Sequence, residues 1–441
     1  MKRRIAMKKI VCTLFVAGFI AWTGVAYAVT VADVDTSLLP YKNFEVDPVK
    51  FKPGTVVNKS NVEKYKDSLD VGTYQSIKDG WYELTITETT SFDPPAAYIE
   101  ATRKNFASTK LGEGNLVGFV AGRPFVEEPS TDDPKAGEKL AWNNKYSLIA
   151  GDGGTIYPFY WKYRNMKSGK LERQIKLEVH SLNFMHRTIE APIPNITPNP
   201  SGIFRALYIG VEEPFDIKNT QLLIQRHEDD RKRDNAWLYL GFQRRVRRLS
   251  SGQTTDAFLG SDLMIEDFEG YNNRVADNNW KYIGTKKLLL PFYNHNDLTE
   301  LSTEFEEPDG YRYVAFGGQG NCFPKVPWQL RKVYVIEATP VDPNHPISKR
   351  IMYMDAQTGF FSRTVSFDRA GKLWKTWMIG ESHPDYHLKI NKGSGIPQWD
   401  AFAMIDTQAM HCTTGQFHSN NDPKQVSPKM FTPQYLRKRG K

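Results

Sequence analysis

The sequence is short of cysteine, with three in 441 residues, at positions 12, 322 and 412. That excludes a scaffold stapled by disulfides, and a chain of this length can bury its own core without them. Beyond the N-terminus no apolar run approaches the about 20 residues that a membrane-spanning helix takes. The standard catalytic patterns are also missing. There is no Gly-x-Ser-x-Gly elbow, no His-Glu-x-x-His, no phosphate-binding loop and no calcium loop. Gly151-Asp152-Gly153-Gly154 and Gly317-Gly318-Gln319-Gly320 lack the lysine and helix context of a nucleotide site and read as turns. No internal repeat occurs at solenoid or propeller spacing.

What is present starts with an export signal. Lys2, Arg3, Arg4, Lys8 and Lys9 precede an apolar stretch from Ile10 to about Val25, and Ala26-Tyr27-Ala28 offers the small-x-small site. This predicts cleavage after Ala28 and a periplasmic protein, with peripheral membrane association open to it. Removing Met1 to Ala28 takes five cationic and no acidic residues, lowering the formal charge from +8 to +3 over the remaining 413 residues. A nucleic-acid partner, which needs a concentrated basic face, is thereby discounted. Cys322 and Cys412 remain, and an oxidising compartment allows them one disulfide.

Helical signals gather early. Ser60-Asn61-Val62-Glu63 has the form of a capping box, predicting a short helix through Tyr65. Asp93-Pro94-Pro95 starts a second helix that ends near Asn105, and a third is expected from about Asp133 to Ile149. The period then changes to two. Leu171, Arg173, Ile175, Leu177 and Val179 alternate with Glu172, Gln174, Lys176, Glu178 and His180, the pattern of a strand with one wet face. Trp237 to Leu249 repeats it, with Leu238, Leu240, Phe242 and Val246 on one side, after a charged hairpin connector from His227 to Asn235. Val333–Ala338, Ile351–Asp355, Phe360–Asp368 and Leu373–Ile379 form an antiparallel meander through the turns at 356–359 and 369–372. Pro192, Pro194, Pro198 and Pro200 mark a linker or surface loop.

Two clusters carry possible chemistry. His383, His387, His411 and His418 lie near Cys412, the residue types zinc or copper takes, but the spacing is wrong and Pro384 breaks the helix that would align the first two. No metal or cofactor is expected. Arg244, Arg245, Arg247 and Arg248 form the strongest charge feature. On one continuous strand, Arg245 and Arg247 share the face of Trp237 and Tyr239. They read either as a solvated strand end paired with Asp262, Glu266 and Asp267, or as a contact for anionic headgroups or an acidic partner.

Several segments, in order, resemble a known family. They are Gly122-Arg123-Pro124-Phe125 leading to Asp133–Gly137 and Ala141-Trp142-Asn143; Ala236–Leu240 with Arg244–Arg248; Gly260-Ser261-Asp262 with Glu266-Asp267; and Val335–Thr339 with Asp342–Pro346 and Ser348-Lys349-Arg350. Together they resemble an uncharacterised bacterial family described as outer-membrane lipoprotein-sorting-like and related to the periplasmic lipoprotein carriers LolA and LolB. The resemblance implies a mainly antiparallel β fold with α: a strongly curved, incomplete barrel with helices across its mouth. It also implies partners, namely an inner-membrane exporter of the resistance-nodulation-division superfamily and an outer-membrane protein.

The chain is thus expected to comprise the signal (1–28), a segment with short helices and first strands (29–160), the curved sheet forming one domain with it (161–380), and a C-terminal extension (381–441). The leading expectation is a non-enzymatic carrier or chaperone for lipid-like or acylated cargo passing between the two membranes. Shielding is physically needed, since an acyl chain of about 16 carbons exposes on the order of 12 kcal/mol of apolar surface to water. Candidate lining residues are Ile175, Leu177, Val179, Leu238, Leu240, Phe242, Phe361, Val365 and Phe367. Two rivals stand beside it: an adaptor whose interior is filled by side chains, and a hydrolase or isomerase of a hydrophobic substrate. A cavity of several hundred cubic ångströms would favour the carrier and a filled sheet the adaptor.

Overall fold

A computed structural model describes residues 29–149, 151–250 and 254–440; the expected signal, Met1 to Ala28, lies outside the described residues. Alternating and doubly apolar segments fold into two antiparallel meanders. The first comprises Gly153–Asn165 (β1), Leu171–Asn183 (β2), Ile203–Glu213 (β3), Gln221–His227 (β4), Asn235–Leu240 (β5) and Arg245–Arg248 (β6). The second comprises Asn278–Leu290 (β7), Pro327–Pro340 (β8), Ile347–Asp355 (β9), Phe361–Asp368 (β10), Leu373–Ser382 (β11), Gln398–Asp406 (β12) and His411–Asn420 (β13). β13 pairs antiparallel with β1, from His411 opposite Asn165 to Asn420 opposite Thr155, and so fuses the two.

Among the described residues the result is one sheet running β7 to β13 and then β1 to β6, with β7 and β6 at its two ends. It stays open and does not close into a barrel. Three short strands fill in: Val56–Val57 pairs Leu84–Thr87, Leu84–Thr87 runs parallel to β8, and Phe292–Tyr293 runs parallel to β11. Residues 381–441, set apart in the sequence as an extension, supply β12 and β13 at the middle of the sheet.

Both faces are apolar and both are covered. On one, Phe159, Trp161, Ile175, Leu177, Ile209, Leu222, Trp377, Phe402, Met404 and Phe417 form a continuous cluster across seven neighbouring strands, β11 to β13 and β1 to β4. On the other, Ala401, Ala403 and Ile405 of the same β12 meet Tyr65, Tyr82 and Phe323. The period of two explains the split, since Leu222 and Ile224 serve the first face while Leu223 serves the second, under Leu436.

Five helices are described: Val31–Leu38 (α1), Val71–Lys78 (α2), Ala96–Asn105 (α3), Ala136–Lys145 (α4) and Pro433–Arg439 (α5). The helix after Asp93-Pro94-Pro95 is α3 and ends where expected. The expected Asp133–Ile149 helix is the shorter α4, which crosses β7; a Cβ on Gly137 would stand 2.7 Å from the Trp280 carbonyl, so only glycine permits that approach. The capping box at Ser60 does not form. Ser60 bonds Asn58 instead, Glu63 accepts from Tyr74, and residues Val62–Ser68 make a 3-10 helix. The single strand expected over Trp237–Leu249 is a hairpin, turning at 241–244 with Arg244 at φ 50°.

A strap across the sheet as the candidate functional site

Between β6 and β7, residues 254–277 cross the first face without forming an α-helix or a long strand. They fold as short 3-10 turns, Phe258–Gly260, Ile265–Gly270 and Val275–Asp277. Phe258, Leu263 and Phe268 insert into the cluster around Trp161 and Leu177, while Tyr271 and Val275 join the cluster beneath α4. The backbone bends sharply to do so: Leu259 and Glu269 have φ of 51° and 55°, and Gly270 at φ 76° brings the chain so close that a Cβ would lie 2.7 Å from the Phe361 carbonyl.

Polar groups pin this strap to the sheet. Arg350 of β9 pairs with Glu266 and, at 3.3 Å, with Asp267, and His345 Nε2 lies 3.0 Å from Glu266. Burial opposes ionisation of Glu266, but Arg350 and His345 outweigh it and hold the carboxyl down to about 2. Burial instead pushes Asp267 up, against Arg350. Asp262 accepts from Thr413 Oγ1 at 2.7 Å and meets His411 Nδ1 at 2.8 Å, while Lys375 Nζ donates to its carbonyl at 2.5 Å. The hydrogen bond to Asp262 raises the His411 pKa. Glu269 receives both arms of Arg205, at 2.7 and 2.8 Å.

Beneath α4 the strap borders a small recess of about 70 Å³, short of the several hundred that would favour a carrier. Ile149 and Phe360 give it an apolar floor continuous with the first face, and Lys145, Arg205, Arg226 and Glu269 line it with charge beside the His186 ring. A smaller recess shares Glu269 and reaches Val179 and Leu207.

The nine expected lining residues do not share one surface. Ile175 and Leu177 are fully buried in packed core beside the strap, Val179 borders the smaller recess, and Phe361 packs under α4. Leu238 and Leu240 are half-buried in β5. Val365 and Phe367 belong to the second face, with Val333 and Tyr353. Phe242 is 75 % exposed, because it lies in the turn rather than in a strand.

The arginine cluster also lies differently. Arg245 and Arg247 stand opposite Leu240 and Leu238, and Arg248 shares the face of Trp237, stacking 6.0 Å from its ring. All four arginines are exposed, and Asp262, Glu266 and Asp267 are engaged elsewhere, as described above. The turn between β5 and β6 reverses the register that one continuous strand would give.

The four C-terminal histidines scatter. His383 accepts from the Asp385 amide, His411 binds the strap, His418 pairs with Asp309 at 2.9 Å, and Cys412 is bonded to Cys322. His387 alone joins a cluster, with His295 and Asp400, whose ligand-type atoms lie within 4.8 Å of one another. Asn391 donates to His387 Nδ1 at 3.0 Å, so His387 Nε2 carries the proton that Asp400 accepts at 2.6 Å. Asp400 accepts from His295 Nδ1 at 2.9 Å and from Tyr311 at 3.2 Å. Burial raises the Asp400 pKa, yet His295 and His387 outweigh it and the carboxyl stays below its usual range; burial lowers His387. These atoms satisfy each other, and none of the three residues lines the recess beneath α4.

Sequence reasoning missed the strap as a unit and the Arg205–Glu269 and His295–Asp400–His387 sets. Their members lie 64 and up to 105 positions apart, and only the paired acids at 266 and 267 offered a linear signal.

Fold and site define a mainly β protein with some helices, built on one large open sheet whose apolar face is crossed by an irregular strap. The chain belongs to the DUF1329 family of proteins of unknown function, whose model matches residues 56–437. This is the uncharacterised family to which the sequence segments point. Similar solved structures include a domain from Vibrio parahaemolyticus named for outer membrane lipoprotein sorting (18 % identity, 69 % of this chain and 100 % of that one, TM-score 0.47). Others are a DUF1329 family protein from Desulfovibrio piger (17 %, 69 % and 99 %, 0.46) and a LolA superfamily protein from Nitrosomonas europaea (12 %, 68 % and 98 %, 0.38). No curated protein matches the chain. No helix among the described residues is long and apolar enough to cross a membrane.

Proposed function

We propose that this protein is a non-enzymatic periplasmic carrier for lipid-like or acylated cargo. The observation that carries the reading is the nature of the cover on the first face. A second sheet or a helix layer would be a permanent wall, whereas the strap is an irregular segment with few backbone bonds to the sheet, held down mainly by side chains, and on this reading it lifts without global unfolding. On this reading the sheet bends around the strap with α4 across the opening, and lifting the strap would bare a continuous apolar surface for an alkyl chain. The N-terminal signal pattern and the Cys322–Cys412 disulfide support the compartment, since such bonds persist where the surroundings are oxidising.

The exposed Arg244–Arg248 edge, with Phe242 beside it, is the surface such a carrier would turn toward acidic headgroups or an acidic partner. An inner-membrane exporter of the resistance-nodulation-division superfamily and an outer-membrane protein are the partners this role calls for. The adaptor reading is favoured by the packing: Ile175 and Leu177 are fully buried and the recess beneath α4 holds only about 70 Å³, so the first face is filled while the strap is down.

The test is organic extraction of the purified protein followed by lipid mass spectrometry, with a fluorescent fatty-acid titration alongside. A stoichiometric amphiphile, or saturable uptake of the probe, is expected. Neither being found would leave the adaptor.

A further inference from the structure

The strap places an apolar side chain and a carboxylate in succession against the sheet. Phe268 lies among Trp161, Phe258 and the aliphatic residues of the first face, and the next residue, Glu269, accepts both arms of Arg205. Arg205 lies on β3, two positions before Leu207 and four before Ile209, both of that same apolar cluster. An apolar group ending in a planar carboxylate is also the outline of a fatty acid.

The other basic groups of the recess have ionic partners outside the strap, although Arg226 also donates to the Asn272 carbonyl and Asp230 accepts from the Ala276 amide, both beyond residues 268–270. Lys145 pairs with Asp230, His186 with Glu228 and Arg226 with Asp234, all three acids lying in the loop between β4 and β5. Arg205 has Glu269 as its one ionic partner among the described residues, with the two side chains 23 % and 17 % exposed. Displacement of residues 268–270 would leave a single unpaired guanidinium beside an apolar slot. Glu269 holds its place in a left-handed conformation that side chains disfavour, which lowers the cost of leaving it.

We infer that Arg205 is the headgroup site for a single-chain fatty acid, whose alkyl chain takes the place of Phe268 and whose carboxylate takes the place of Glu269. The Phe268-Glu269 pair is the internal stand-in that the ligand displaces. A guanidinium grips a carboxylate through two parallel hydrogen bonds, so the site favours a planar anion over an uncharged ester. The inference rests on the carrier reading and adds to it the cargo class and the residue that selects it.

Dodecanoate and its uncharged analogue 1-monododecanoylglycerol are titrated calorimetrically into the full chain and into Arg205→Gln, Arg205→Lys and Glu269→Gln, and the ratio of the two affinities is read. Arg205→Gln is expected to lower the preference for dodecanoate by about tenfold, and Arg205→Lys to fall between. Glu269→Gln is expected to tighten both ligands, because the strap has lost its hold. Retained binding of the uncharged ligand shows that each variant is folded. An unchanged ratio in Arg205→Gln, or no tightening in Glu269→Gln, overturns the inference while leaving the carrier reading in place. No binding of either ligand to any of the four proteins overturns both.

Discussion

Glu266 of the strap and Arg350 of β9 form an ion pair in which the side chains are 2 % and 1 % exposed. Asp267 and His345 share the same pocket, so one guanidinium and one imidazole face two carboxylates. Removing a partner from a buried pair leaves a charge that water cannot reach, which costs about 3–5 kcal/mol. Arg350→Ala is expected to lose stability in that range by urea denaturation. Limited proteolysis of the variant should cut first within 254–277, because the strap has lost its anchor.

Leu177 and Ile175 distinguish a packed face from an open one. Both are fully buried against the strap. Truncation of either to alanine is expected to cost about 2–5 kcal/mol, the loss of buried methylenes plus the cavity left behind. Phe242→Ser, in an exposed turn, should stay within about 0.5 kcal/mol. Denaturant midpoints compared at constant slope check both, and a Leu177→Ala loss below about 1 kcal/mol would mean that the side chain faces open space.

Glu381 of β11 gives a pH dependence with a definite sign. It is almost fully buried and accepts a hydrogen bond from Ser362, and burial raises its pKa from 4.5 to about 8. The folded protein therefore binds a proton that the unfolded chain releases near pH 4.5. This contribution is fully present below about pH 4.5, declines as pH rises, and is lost above about pH 8; its size is on the order of a few kcal/mol. Glu381→Gln keeps a neutral group of the same shape, so the difference in unfolding free energy between pH 5 and pH 8 should shrink in that variant.

The elements that were legible in the sequence are those with one wet face or a strong turn. The alternation from Leu171 to His180 and the turns at 356–359 and 369–372 specify β2 and β9 to β11 through local pattern alone. β12 and β13 escape such reading because they are central. Gln398–Asp406 is buried at eight of its nine positions, and a strand covered on both faces has no alternation to show. The Trp237–Leu249 stretch misleads in the opposite way, since its alternation continues through a turn. Ion pairs such as Arg205–Glu269 join residues whose neighbours in sequence carry no trace of each other, so the strap's anchors emerge only once β3 and β9 are in place.

The disulfide between Cys322 and Cys412 spans 90 positions and ties the loop before β8 to β13. Both cysteines are fully buried in the second-face core, and Cys412 stands opposite Arg164 where β13 meets β1. Closing so long a loop removes much of the freedom of the unfolded chain, a stabilisation of about 2–5 kcal/mol. Cys322→Ala, Cys412→Ala and the double variant are expected to lose the same amount, since either change breaks the one bond. A reductant should lower the melting temperature of the parent and leave all three variants unmoved. Because the bond sits at the junction of the two meanders, hydrogen exchange in the variants should rise first along β13 and β1. Equal melting of the parent with and without reductant, with two free thiols titrated in the unfolded chain, would show that the pair is not joined in the exported protein.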